Sequence, residues 1–164
     1  MSTGSLGFRP LFELEIELFA PVSLLGSSAE ARPSTSPAVP ELRVVPFRSG
    51  SFVGPEVRGQ VLAGGTDWQE LGPDGTLDIH ARYLLETEQG ERVEVRSDGL
   101  RTAAPEVLAL LASGQRVAPE LVYFRTAIRL RTAAPRLSHW NRMLAFSRGD
   151  RRAESVHLTV FELL

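Results

Sequence analysis

Residues 11–19 read LFELEIELF, in which Phe12, Leu14, Ile16 and Leu18 alternate with Glu13, Glu15 and Glu17. A period of two places alternate side chains on opposite faces of an extended chain, so this segment predicts a strand with one face on a core and one in water. The pattern is what most limits the fold, because it recurs. LRVVPF (42–47), EVRGQVLA (56–63), TLDIHARYLLE (76–86), ERVEVRS (91–97), YFRTAIRLRT (123–132), NRMLAFS (141–147) and SVHLTVFELL (155–164) also read as strands, making about eight. GPDGT and EQGE carry glycine where hairpin turns need it, which predicts antiparallel neighbours. Pro46 suits an edge or a bulge.

One helix is predicted, over APEVLALLASG (104–114). Pro105 fits the first helical position, Val107, Leu108 and Leu111 share a helical spacing, and Gly114 stands where a C-terminal glycine belongs. It is expected to plug or flank one end of a sheet. SSAEARPSTSPAVP (27–40) has no period and reads as a flexible surface loop. About eight antiparallel strands with one short α-helix predict an all-β fold, a closed or nearly closed barrel that leaves no free edge and encloses a pocket; a two-sheet sandwich is the alternative. The last strand is expected to pair with the first and complete closure.

Composition narrows the chemistry. At 164 residues, 43% apolar and a net charge of −2, residues 1–164 fit one domain. No apolar run approaches the roughly 20 residues of a membrane span, and MSTGSLGFRP lacks the layout of a signal peptide, so a cytoplasmic protein without membrane association is expected. The absence of cysteine excludes disulfides, thiolate nucleophiles and thiolate-held metals. All 18 basic residues are arginine, consistent with a GC-rich bacterial genome, and this rules out a Schiff-base lysine. Eighteen bases against 20 acids leave no basic excess to attract nucleic acid.

GxSxG, P-loop, HExxH and GxGxxG signatures are all missing, and His80, His139 and His157 show no paired ligand spacing, so no metal or other cofactor is expected. The first candidates are Asp67 and Trp68, in GQVLAGGTDW (59–68). A carboxyl against an apolar ring has its charged form disfavoured and becomes fit for proton transfer near neutrality. Equally, Gly64, Gly65 and Asp67 form a turn and Trp68 caps the core. In DIHARY, Asp78, His80 and Arg82 share one strand face and Ile79, Ala81 and Tyr83 the other. His80 suits acid–base work and Arg82 an anion, unless that face is merely solvated. VYFRTAIRLR sets Tyr123, Arg125, Arg129 and Arg131 on one face, to bind an anion or to pair with the strand-one glutamates. HWNR groups Trp140 with Asn141 and Arg142, to orient a polar ligand or simply to begin a strand.

SGSFVGPEVRGQVLAGGTDW, ARYLLETEQGERVEVRSDGLR, PEVLALLASG, YFRTAIRLRT and NRMLAFSRG, in that order, resemble the domain-of-unknown-function 3237 family, also called uncharacterised protein family 0311. The resemblance runs from about Val44 to the C-terminus. It implies a lipocalin-like antiparallel barrel with a cavity, often in homo-oligomers and without a settled activity. Through the GGxDW element it carries over Asp67 and Trp68, and with them Arg82, Tyr83, Phe124, Arg125, Thr126, Asn141 and Arg142. His80 stands where relatives have aspartate, Glu94 where they tend to have tyrosine, and HWNR alters the usual order, departures that imply a specialised substrate.

The resulting expectation is a small-molecule-binding barrel acting as a cofactor-independent isomerase, cyclase or lyase on an apolar, carbonyl-bearing metabolite of secondary metabolism. Asp67 moves the proton, His80 or Tyr83 complements it, and Arg82 or Arg125 stabilises an enolate or carboxylate. Trp68, Tyr123, Trp140 and Asn141 shape the pocket. His80 and Tyr83 lie on opposite strand faces, so they cannot both line one cavity. The competing expectations are a carrier or sensor barrel and a structural module whose barrel is filled with side chains.

Overall fold

The computed structural model describes residues 6–24 and 40–164. The loop predicted over 27–40 lies, apart from Pro40, outside the described residues. The strands are β1 (Phe8–Leu18), β2 (Val22–Ser23), β3 (Glu41–Val53), β4 (Arg58–Val61), β5 (Thr66–Leu71), β6 (Leu77–Thr87), β7 (Arg92–Ala103), β8 (Val122–Thr132), β9 (Ala145–Arg151) and β10 (Ser155–Leu163). A helix α1 (Pro105–Ala112) follows β7, and 3₁₀ segments occupy Pro119–Leu121 and Pro135–Arg142.

The strands form a closed, eight-stave antiparallel barrel. Around it run β1, β10, β9, β8, β7 and β6, then a stave made of β4 and β5 end to end, then β3, which pairs back onto β1. β5 lies between Glu41–Pro46 of β3 and Leu77–Arg82 of β6, and β4 between Gly50–Val53 and Leu85–Thr87. The expected pairing of last strand with first is present, with Leu14 opposite Leu158 and Ile16 opposite Val156. Closure therefore excludes the two-sheet sandwich, and it hides every long edge.

Two local readings need correction. The turn read over Gly64, Gly65 and Asp67 stops short of the aspartate, since β5 begins at Thr66 and Asp67 and Trp68 lie within it. Gly64 makes the break with φ +94°, a left-handed conformation that costs glycine little. Gly65 fits against the core: a Cβ there would come within 2.5 Å of Tyr83 Cβ and 2.9 Å of Phe47 Cδ2. HWNR is not a strand start either, because Pro135–Arg142 is a 3₁₀ segment and β9 begins only at Ala145. Pro46 sits inside β3, two residues before the slip in the β1–β3 register at Arg48 and level with the end of β1, where its carbonyl accepts from the Phe19 N–H.

The two ends of the barrel differ. At the end where β8 runs out, Pro135–Arg142 crosses the opening and buries Leu137 and Trp140, with the Trp140 ring tilted against Phe12 at 5.7 Å between centroids and Phe12 edge-on to Phe52. Arg136 lashes this segment down by an ion pair with Glu91 and a 3.2 Å bond to the Glu56 carbonyl. Leu85, Val93, Leu130 and Val160 fill that half with apolar side chains. At the other end stand the polar inward residues of β5, β7, β8 and β9, and α1 borders the mouth.

Candidate functional site

Alternation along β5 sends Asp67 and Gln69 inward and Trp68 and Glu70 outward. Asp67 is 9% exposed and Trp68 47%, so the carboxyl does not rest against the neighbouring indole as the sequence suggested. Its partners are instead the Gln69 side-chain amide, which donates to Oδ2, and the His80 backbone N–H, 3.2 Å from Oδ1. Gln69 is oriented in turn by Arg43, whose Nε donates to Gln69 Oε1 at 2.8 Å. A guanidinium only donates, so it fixes the amide oxygen toward itself and the amide NH2 toward the carboxylate. Farther round the wall the hydroxyls of Ser97, Thr126 and Ser147 bond in a row at 2.8 and 2.7 Å across β7, β8 and β9.

Burial pushes the Asp67 pKa up from 3.8 to about 6; the bonds from Gln69 and His80 and the charge of Arg101 offset part of that rise. Tyr83, facing inward from β6, has its pKa raised by burial and by the Asp67 charge, and it keeps its proton. Its hydroxyl is buried with no hydrogen-bond partner among the described residues, and so is Arg101 Nε. Burial, followed by the guanidiniums of Arg151 and Arg43, lowers the Arg101 pKa to about 10, which leaves it charged at neutral pH.

Asp67, Tyr83 and Arg101 line one internal cavity of about 40 Å³. That is room for about three water molecules, so the lumen is mostly filled by side chains rather than holding a whole metabolite. A larger space of about 430 Å³ opens at the mouth, between α1 and the ends of β3, β7 and β9. The two share Arg101 and Arg151 as walls, a vestibule beside a small inner chamber. Among the described residues no three histidine, aspartate or glutamate side chains converge as metal ligands.

The structure brings together Asp67 and Tyr83 and separates the other sequence candidates from them. His80 points outward, its Nδ1 2.8 Å from Asp98 on the exposed surface. Arg82 is outside with Glu94, at 2.7 Å. Tyr123 is exposed, and the Arg125 guanidinium lies 5.2 Å over its ring and bonds to the Phe124 carbonyl. Arg129 and Arg131 also face solvent, and the glutamates of β1 lie elsewhere, because β1 pairs with β10 and β3. Trp140 belongs to the apolar closed end, and Asn141 holds both the N–H and the C=O of Thr132, at 2.8 and 2.9 Å, as an extra strand would. Sequence reading missed Gln69, Arg43, Arg101 and Arg151. Gln69 lies two residues from Asp67 and would have stood out had β5 been read as a strand; Arg101 lies past the predicted end of its strand at 97, whereas β7 runs to Ala103.

The model for the protein of unknown function DUF3237 matches residues 6–163. The chain belongs to this family. The match includes β1, so the family pattern begins well before Val44, where the sequence resemblance was placed. A UPF0311 protein of Rhodopseudomonas palustris is 33% identical over 122 residues, 74% of this chain and 80% of that protein. The crystal structure of a conserved protein of unknown function from the same organism superposes with a TM-score of 0.87 at 28% identity, covering 99% of this chain and 100% of that one. The crystal structure of a β-barrel-like protein from Acinetobacter baumannii gives a TM-score of 0.79 at 29% identity over 99% of both chains. An enzyme from Penicillium herquei shares the fold alone, with a TM-score of 0.70 at 15% identity, over 100% of this chain and 98% of that one.

Proposed function

We propose that the protein is a cofactor-independent acid–base enzyme acting on a small carbonyl-bearing metabolite, with Asp67 as the group that moves the proton. One observation carries this reading: a buried carboxyl of pKa about 6 shares a small chamber with an unpartnered tyrosine hydroxyl and an unpaired guanidinium. At neutral pH the carboxyl is mostly ionised yet basic enough to accept a proton from carbon. Asp67 removes a proton from the carbon beside the carbonyl, and the bonding pair moves onto the carbonyl oxygen. The charged Arg101 and the neutral Tyr83 O–H stabilise that enolate in a site shielded from water, where such interactions are strong. Protonated Asp67 then returns its proton to another carbon, which gives isomerisation, or to a departing hydroxyl, which gives water elimination.

His80, Arg82, Tyr123 and Arg125 have no part in this reading, since they face away from the chamber. The carrier reading also has support, in that 40 Å³ admits only the end of a ligand. The two are separated by incubating the protein with enolisable oxo acids in D2O and following loss of the α-proton signal by NMR. Asp67→Asn should slow that exchange at least about a hundredfold, the usual scale of acid–base catalysis. Ligand bound and recovered without exchange supports the carrier instead.

A further inference from the structure

The mouth of the barrel gathers positive charge, and the one acid whose charge reaches Arg101 and Arg151 among the described residues is Asp67, in the inner chamber. Arg43 on β3, Arg101 on β7, Arg151 at the end of β9 and Arg152 just past it line the 430 Å³ vestibule, and no Asp or Glu among the described residues lines it with them. Arg152 is already paired, at 2.9 Å with Glu15 and 3.4 Å with Asp150. The other three differ. Arg43 bonds only to the neutral Gln69, Arg151 only to the backbone carbonyls of Arg152 and Ser155, and Arg101 forms no hydrogen bond or ion pair among the described residues. Asp67, the acid of the inner chamber, forms no ion pair with any of them.

Three guanidiniums held together in a partly buried place repel one another, and burial removes the water that would screen them. Consistent with this, burial and the neighbouring guanidiniums lower the pKa of both Arg101 and Arg151, and the charge of Asp67 offsets only part of the shift. An anion bound among these guanidiniums offsets their mutual repulsion. The same space is also lined by apolar side chains, Leu71 of β5 and Leu108 and Leu111 of α1. A ligand complementary to both linings has a charged head and an apolar body.

We propose that the vestibule binds a small metabolite through a carboxylate gripped by Arg43, Arg101 and Arg151, with the apolar body of the ligand against Leu108 and Leu111. The planar, multi-donor guanidinium matches a carboxylate's two oxygens, and a singly charged head costs less to desolvate beside leucines than a phosphate dianion. The acid–base reading enters only in the orientation: Arg101 and Arg151 border both spaces, so a carboxylate held there leaves the adjoining carbons at the opening to Asp67.

The test is calorimetric titration of the full chain with phenylacetate, phenylacetamide and inorganic phosphate. Phenylacetate should bind at least about tenfold more tightly than either of the others, and Arg101→Met should lose about tenfold or more of that affinity. Because Arg101→Met removes an unpaired buried cation, its Tm should equal or exceed that of the wild type, which a purely structural arginine would not allow. Equal binding of acid and amide, preference for phosphate, or unaltered affinity in Arg101→Met overturns the site. Should Arg101→Met not fold, Arg43→Gln decides with the same loss expected, and wild-type affinity there overturns it. Asp67→Asn must keep or strengthen phenylacetate binding. Binding without proton exchange upholds the anion site and ends the catalytic reading, whereas exchange on neutral ketones with no preference for a carboxylate does the opposite.

Discussion

Inside the barrel, the Gln69 side-chain amide donates to Asp67 Oδ2, two residues back along the same inward face of β5. This bond favours the ionised carboxylate and works against the burial that favours the neutral acid. Gln69→Leu removes it, so the Asp67 pKa should rise above about 6. A carbon-13 NMR titration of the Asp67 carboxyl measures the shift, and an unmoved midpoint would mean the bond does not form in solution.

The same burial gives stability a pH dependence of unusual sign for an aspartate. Because the folded pKa, about 6, exceeds the ordinary aspartate value of 3.8, the folded state holds this proton more tightly than the unfolded chain. The neutral form therefore contributes stability that is fully present below about pH 4 and is lost as pH rises through about 6. The loss amounts to roughly 3 kcal/mol, on the order of 1.4 per pKa unit. Asp67→Asn should abolish it, and its advantage over wild type in urea denaturation should grow between pH 4 and 7. A constant difference across that range would refute the raised pKa.

Gly64 and Gly65 should fail differently when replaced. Gly64→Ala has open space around its Cβ but must adopt φ +94°, at a cost of about 1 kcal/mol. Gly65→Ala drives a methyl into Tyr83 and Phe47, an overpacking cost of about 1–3 kcal/mol, and should also disturb ligand affinity by shifting Tyr83. Denaturation midpoints with paired phenylacetate titrations distinguish the two.

The outward residues should prove dispensable for chemistry. His80→Gln breaks only an exposed pair with Asp98 and should leave both α-proton exchange and stability unchanged, to within about 0.5 kcal/mol. Asn141→Ala, in contrast, frees both polar groups of Thr132 and should cost about 1–3 kcal/mol without weakening ligand binding. A large loss of exchange activity in His80→Gln would contradict the inward placement of the site.

The alternation of residues 11–19 and its repeats determined an antiparallel sheet, and the matching of first and last strands already pointed to closure. It also separated His80 and Arg82 from Tyr83, because period two is a local property of extended backbone. Which of those faces pointed inward was settled by closure alone: the barrel needs one face for its core, and Ile79 and Tyr83 supplied it. Asp67 was legible as unusual, but for the wrong reason, since adjacent strand residues such as Trp68 cannot share a face. Its burial comes from β3, β6 and β7 curling around it, and its company of Gln69, Arg43 and Arg101 comes from strands up to about sixty residues apart. Local sequence periodicity writes the strands and their two faces; only the register of the closed sheet decides which distant charges meet, because that depends on pairings between strands and not on spacing within one.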